Sequence, residues 1–140
     1  MIVLDTNVLS ELMRPKPSAQ VVAWIAQQPL ADLHTTAITE AEIFYGIELL
    51  AKGKRRDSLL AAAEGMFTED FAGRVLAFES DAAHQFATMA VHRRALGRPI
   101  SHADAQIAAI ARAHGAKLAT GNGPDFADCS ITVIDPWRAP

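Results

Sequence analysis

Five short apolar runs, spaced along 140 residues and separated by longer segments of helical periodicity, constrain this chain more than any other feature. The runs are Ile2 to Leu4, Leu33 to Thr35, Val75 to Phe78, Lys117 to Thr120 and Thr132 to Ile134. Apolar runs this short, bounded by turn and helix signals, read as buried strands, and strands alternating with helices read as a parallel, helix-covered α/β sheet. Neither an internal repeat nor a linker interrupts the pattern, so one domain over residues 1–140 is expected.

The helical segments carry their own start and stop signals. Asn7 to Met13 forms a short helix stopped by Pro15 and Pro17, and Ser18 caps a second, with Val21, Val22 and Ile25 on its apolar face, that ends near Pro29. Thr39 is expected to open a helix to about Lys52 with Ile43, Ile47 and Leu50 inward, and Gly53 to separate it from a helix over Arg56 to Phe71. Ser80 to Leu96 and a helix capped by Ser101 complete the set, the latter presenting Ile107, Ala108, Ile110 and Ala111 as one face.

Three carboxylates stand out by position: Asp5 at the C-terminal end of a strand, where such a sheet gathers its ligands, and Glu42 and Asp104 in the first turns of their helices. Asp5 closes the first apolar run, Glu42 lies in ITEAEIFYG, and Asp104 lies in SHADAQIAAIA, where the following residues are almost wholly apolar. A buried carboxylate is costly unless paired, and no Lys or Arg occurs between Pro99 and Arg112. Two readings stay open. Thr39-x-x-Glu42 and Ser101-x-x-Asp104 match the capping box, and Asp5 can cap the helix after it. A divalent cation would offset the cost at Asp104, as would a partner from elsewhere in the fold, and helix starts favour carboxylates in either case. The loop after the fourth run adds Asn122 and Asp125 as candidates facing the site, and Asp128 as a solvated acid. The basic groups Lys52, Lys54, Arg55, Arg56 and Arg93, Arg94, Arg98 read as solvated surface rather than as a nucleic-acid groove.

Several chemistries drop out. The five His are widely spaced, the single Cys129 has no partner, and neither a zinc motif, a nucleophile elbow nor a phosphate-binding glycine loop is present. An aspartyl phosphatase is disfavoured because Asp5-Thr6-Asn7 lacks a second acid at the third position. Oxygen donors remain, the set suited to Mg²⁺ or Mn²⁺ and to phosphodiester hydrolysis. The formal net charge of −3 does not suit a protein that grips nucleic acid by charge alone, whereas a metal-dependent nuclease can be acidic. A lone cysteine, no run of 18 apolar residues and an acidic N-terminus point to a cytoplasmic protein without membrane association.

MIVLDTN, VVAWI, AITEAEIFYG, DAQIAAIA, LATGN and VIDPW, in that order, resemble the PIN-domain VapC toxins, especially the FitB-like branch, over nearly the whole chain. The resemblance implies a Rossmann-like three-layer α/β/α sandwich and a magnesium-dependent endoribonuclease, with Mn²⁺ able to substitute. It implies the toxin half of a type II toxin–antitoxin pair, a VapB-like antitoxin partner, a homodimer, and DNA contact through the antitoxin only. It places Asp5, Glu42 and Asp104 on the family's acidic positions, Asp5 and Asp104 among them as metal ligands, and Thr6 on its hydroxyl position. The last segment departs from the pattern: Gly121 stands where many members have Arg, and Asn122 where some have a fourth acid, leaving Asn122 or Asp125 to complete the site. The competing readings are a non-catalytic dimeric interaction module and a DNA-directed metal nuclease.

Overall fold

The structure, a computed structural model, describes residues 1–139. Its centre is a five-stranded parallel sheet made of β1 (Ile2–Leu4), β2 (Leu33–Thr36), β3 (Val75–Leu76), β4 (Lys117–Ala119) and β5 (Val133–Ile134), in the order β3-β2-β1-β4-β5. The connections carry α1 (Thr6–Leu12) and α2 (Ala19–Ala26), then α3 (Ala37–Glu48) and α4 (Lys54–Gly65), then α5 (Ser80–Ala95) and α6 (His102–Ala113).

The pleat of β1 assigns the layers. Ile2 and Leu4 face one core with Val8, Leu9, Val21, Trp24, Ile43 and Ile47, from α1, α2 and α3. Val3 faces the other, with Met89 of α5 and Ile107, Ala108 and Ala111 of α6. The sheet is therefore covered on both faces, as a parallel sheet requires, and the expected three-layer α/β/α architecture is what forms. β1 is the pivot. The chain runs outward from it to β2 and β3, then returns to its other side at β4, so a crevice opens beyond the carboxyl ends of β1 and β4.

Local chemistry moved several boundaries. Helix α3 starts at Ala37, not Thr39, because Thr36 ends β2 in an extended conformation and its hydroxyl accepts the Thr39 N–H at 3.1 Å. Thr36 is thus the N-cap, Thr39 is a buried helical residue, and Glu42 is the sixth residue of the helix rather than a first-turn acid. The capping-box alternative for Glu42 falls with that shift. The helix expected over 56–71 begins earlier and relaxes into a wide π turn at Met66–Asp70. Val22 is exposed, α2 instead burying Val21 and Trp24, three residues apart on one face. Ser101 caps α6 as expected, its hydroxyl accepting the Asp104 N–H at 3.2 Å.

The basic residues divided. Arg94 and Arg98 are exposed, but Arg93 is only 5 % exposed and is no surface charge. Its Nε donates to the carbonyl of Arg98 (2.7 Å), and its Nη1 to those of Asp125 (2.8 Å) and Ala127 (2.9 Å). It fastens the end of α5 to the loop between β4 and β5, where Asp128 and Ser130 hold positive φ. No helix among the described residues is long and apolar enough to cross a membrane.

Candidate active site

Asp5 emerges from β1 still in register: its N–H donates to the carbonyl of Ala119 at 2.9 Å, which fixes the carboxylate at the crevice between β1 and β4. It is 4 % exposed. Oδ1 accepts the Thr6 N–H (2.8 Å), so Asp5 does cap α1, and Oδ2 accepts both the Thr120 hydroxyl (2.7 Å) and Asn7 Nδ2 (3.0 Å). Cap and site residue are here the same group. Burial nonetheless outweighs these donors and, with a smaller push from Asp104 and Glu42, raises the carboxyl from 3.8 to about 6.

Asn7 was not singled out by the sequence, yet it stitches the site together. Its Nδ2 also reaches the Thr120 oxygen (3.0 Å), and its Oδ1 accepts the Gly121 N–H (3.0 Å). The one available signal was its place two residues beyond a strand-ending Asp, where an amide readily bonds a neighbouring loop. Thr120, fully buried, accepts in turn the Asn122 N–H at 3.0 Å.

Thr6 donates to Glu42 Oε1 at 2.7 Å. Having spent its one hydrogen there, it receives that of Thr39, 3.0 Å away. Glu42 is itself exposed to the crevice. Asp104, the third residue of α6, is half-buried; desolvation raises its pKa first, Ser101 opposes, and Asp125 and Glu42 raise it further as like charges.

Asp5, Thr6, Asn7, Glu42, Asp104 and Asn122 line one open cleft of about 540 Å³, together with Ser10, Glu11, Arg14 and Trp137. Asp125 does not line it: its side chain is exposed, and it bears on the site through its charge on Asp104. Asp128 pairs with Arg98 at 3.1 Å on the surface. Glu11, a buried acid that the sequence reading passed over, lies at the rim. Among the described residues no three of His, Cys, Asp or Glu stand close enough to enclose a metal by themselves. The cleft is an open, oxygen-lined bowl rather than a cage.

The departure at Gly121 has a steric cause. A Cβ there would lie 2.8 Å from Cζ3 of Trp137, closer than any relaxed contact. The Trp137 ring fills the space that a side chain at 121 would need.

A buried acid with a raised pKa makes stability depend on pH in a defined direction. Without metal, the folded state holds the Asp5 proton more tightly than the unfolded chain does. That stabilisation is complete below about pH 4 and is lost as pH rises through about 6. A gap of roughly two pKa units corresponds to about 3 kcal/mol. Thermal melts in EDTA between pH 4 and pH 8 should show wild type losing ground against Asp5→Asn as pH rises; parallel curves would mean that the carboxyl is not perturbed.

A parallel sheet pivoting on β1, with acids at the crevice where its strand order reverses, is the arrangement of the PIN-domain family, and the chain belongs to that family. The PIN domain match covers residues 2–130. Over 138 residues the chain is 41% identical to VapC ribonuclease Y4jK of Sinorhizobium fredii and 39% identical to toxin FitB of Neisseria gonorrhoeae, covering 99% of each pair. The structure of FitAB bound to a DNA fragment superposes with a TM-score of 0.92 at 38% identity, over 100% of this chain and 98% of that one.

Proposed function

We propose that this chain is a magnesium-dependent endoribonuclease and the toxin of a type II toxin–antitoxin pair, with Asp5, Glu42, Asp104 and Asn122 as its catalytic set. The observation that carries the reading is the convergence of Asp5, Glu42 and Asp104 on one cleft at the switch point of the sheet. The kinship with VapC ribonuclease Y4jK and toxin FitB supports the toxin assignment.

The donors fit a hard cation. Every ligating group in the cleft is oxygen, with no His or Cys lining it. Mg²⁺ keeps several waters and takes one or two carboxylates plus substrate phosphate, so an open bowl suits it better than a closed cage. Asp5 and Asp104 are the ligands. Three donors occupy Asp5, leaving about one of its roughly four acceptor sites for a metal. When bound, the metal polarises the phosphate, lowers the pKa of a water and neutralises developing charge. Glu42, held by the Thr6 hydroxyl, is placed to accept a proton from the attacking water, and the Asn122 amide to orient it.

An acidic cleft also explains inhibition. A tail carrying Arg or Lys, supplied by a VapB-like antitoxin, would replace the metal's charge. The adjoining groove, floored by Met13, Ile43, Ile47 and Leu59 and sharing Thr6 and Glu42 with the cleft, can seat the apolar residues around such a side chain. Tyr45 and Leu49 lie exposed on α3, an apolar face consistent with a homodimer. DNA contact belongs to the antitoxin in this reading, since the chain's net charge is −3.

Purified, antitoxin-free protein should cut single-stranded RNA with Mg²⁺ or Mn²⁺ and be silent in EDTA, and metal should raise its melting temperature. Cleavage that persists in excess EDTA, or metal without effect on either measurement, rejects the reading. Cleavage of DNA but not RNA would assign the same site to a different substrate.

A further inference from the structure

We propose that Arg14, aimed by the buried carboxylate of Glu11, is the anchor for an RNA phosphate next to the scissile one; this rests on the ribonuclease reading above. The cleft is lined by four carboxylates, Asp5, Glu11, Glu42 and Asp104, and by a single cation, Arg14. A polyanionic strand entering such a bowl meets repulsion everywhere except at the metal and at that guanidinium. The metal answers for the reacting phosphate, and Arg14 is the one side chain in the lining that can answer for its neighbour.

The geometry shows an arginine presented rather than consumed. Nη1 faces Glu11 Oε1 and Oε2 at 3.2 and 3.4 Å, long contacts through one nitrogen, while the Arg14 side chain is 66% exposed. Among the described residues no acceptor engages Nε or Nη2, so the edge that can bind phosphate with two parallel hydrogen bonds is left without a protein partner. Glu11 is fixed independently, accepting the Ser18 N–H at 2.9 Å where α2 begins. Pro15, directly after Arg14, limits the backbone at that point as well. Glu11 is buried but its partner Arg14 is largely exposed, so the pair by itself contributes little to stability. Glu11 thus does two things from its buried place: it holds the start of α2 through Ser18, and it orients the Arg14 guanidinium. Arg14 also lines the adjoining groove, so it stands at the boundary between the cleft and that groove.

The test is steady-state cleavage of a fluorescent single-stranded RNA at saturating Mg²⁺, between 50 and 200 mM salt, for wild type, Arg14→Gln, Arg14→Lys and Glu11→Gln. Arg14→Gln should raise KM about tenfold with kcat within about twofold. It should also flatten the slope of log KM against log salt by about 0.7, one phosphate contact on a single strand. Arg14→Lys should fall between, since an ammonium is a point charge without the fork. Glu11→Gln keeps an acceptor for Ser18 but frees the guanidinium, and should raise KM by a smaller factor. Metal-free melting of Arg14→Gln should match wild type. Unchanged KM and salt slope in Arg14→Gln overturn the proposal, as does a loss confined to kcat or to melting temperature. A variant that cleaves normally but escapes its antitoxin assigns the arginine to protein recognition instead. If wild type itself neither binds nor cuts RNA, the ribonuclease reading falls first and takes this one with it.

Discussion

Asp104→Asn should abolish RNA cleavage, by at least about a hundredfold, and leave the metal-free protein as stable as wild type. The two halves have separate causes. Neutralising Asp104 removes one of the two charges that would hold the cation, and a hundredfold loss corresponds to about 2.7 kcal/mol of transition-state stabilisation. Stability moves little because opposing effects are small. The first turn of α6 loses a favourable carboxylate, worth roughly 0.3–1 kcal/mol, while repulsion from Glu42 and Asp125 and the desolvation of the charge are relieved. The backbone half of the cap, Asp104 N–H to Ser101 Oγ, is kept, and only the help that the Ser101 hydroxyl gives the carboxylate is lost. Melting curves in EDTA beside cleavage rates in Mg²⁺ read both halves. A clear drop in melting temperature with activity retained would make Asp104 a structural acid.

The largest loss of stability should come from Arg93→Met. The substitution fills similar volume but leaves the carbonyls of Arg98, Asp125 and Ala127 without their donor in a buried setting. Breaking a buried charged network of this kind costs about 3 kcal/mol, so the melting temperature should fall by about 10 °C for a chain of this size. Arg93→Lys can reach one or two of the three carbonyls and should recover part of the loss. A fall of no more than about 2 °C for the methionine variant would show that the loop holds its shape without the guanidinium.

The layer order and the acids were legible because their signals are local. The apolar run Ile2 to Leu4 ending in Asp5, and the Ser101 cap of an apolar helix, are each complete within a few residues. What stayed hidden depends on groups distant in the chain. Asn7 matters through Thr120 and Gly121, more than a hundred residues away, and Arg93 through carbonyls that no side-chain pattern reports. Glu42 failed differently: two threonines three residues apart, Thr36 and Thr39, both offer a cap, and only the end of β2 decides between them. Charge was the least transparent property, because Arg93 and its neighbour Arg94 read alike in sequence, although one meets a loop's carbonyls and the other water.

The close approach of the Trp137 ring to Gly121 couples two positions that lie sixteen residues apart in the chain. An arginine at 121 would collide with the indole as it stands, and a smaller residue at 137 would leave a void beside Gly121. A change at either position alone therefore disturbs the rim of the cleft, and the two side-chain volumes are best exchanged together. The C-terminal segment thereby shapes the cleft through the Trp137 ring, although it contributes no acid to it.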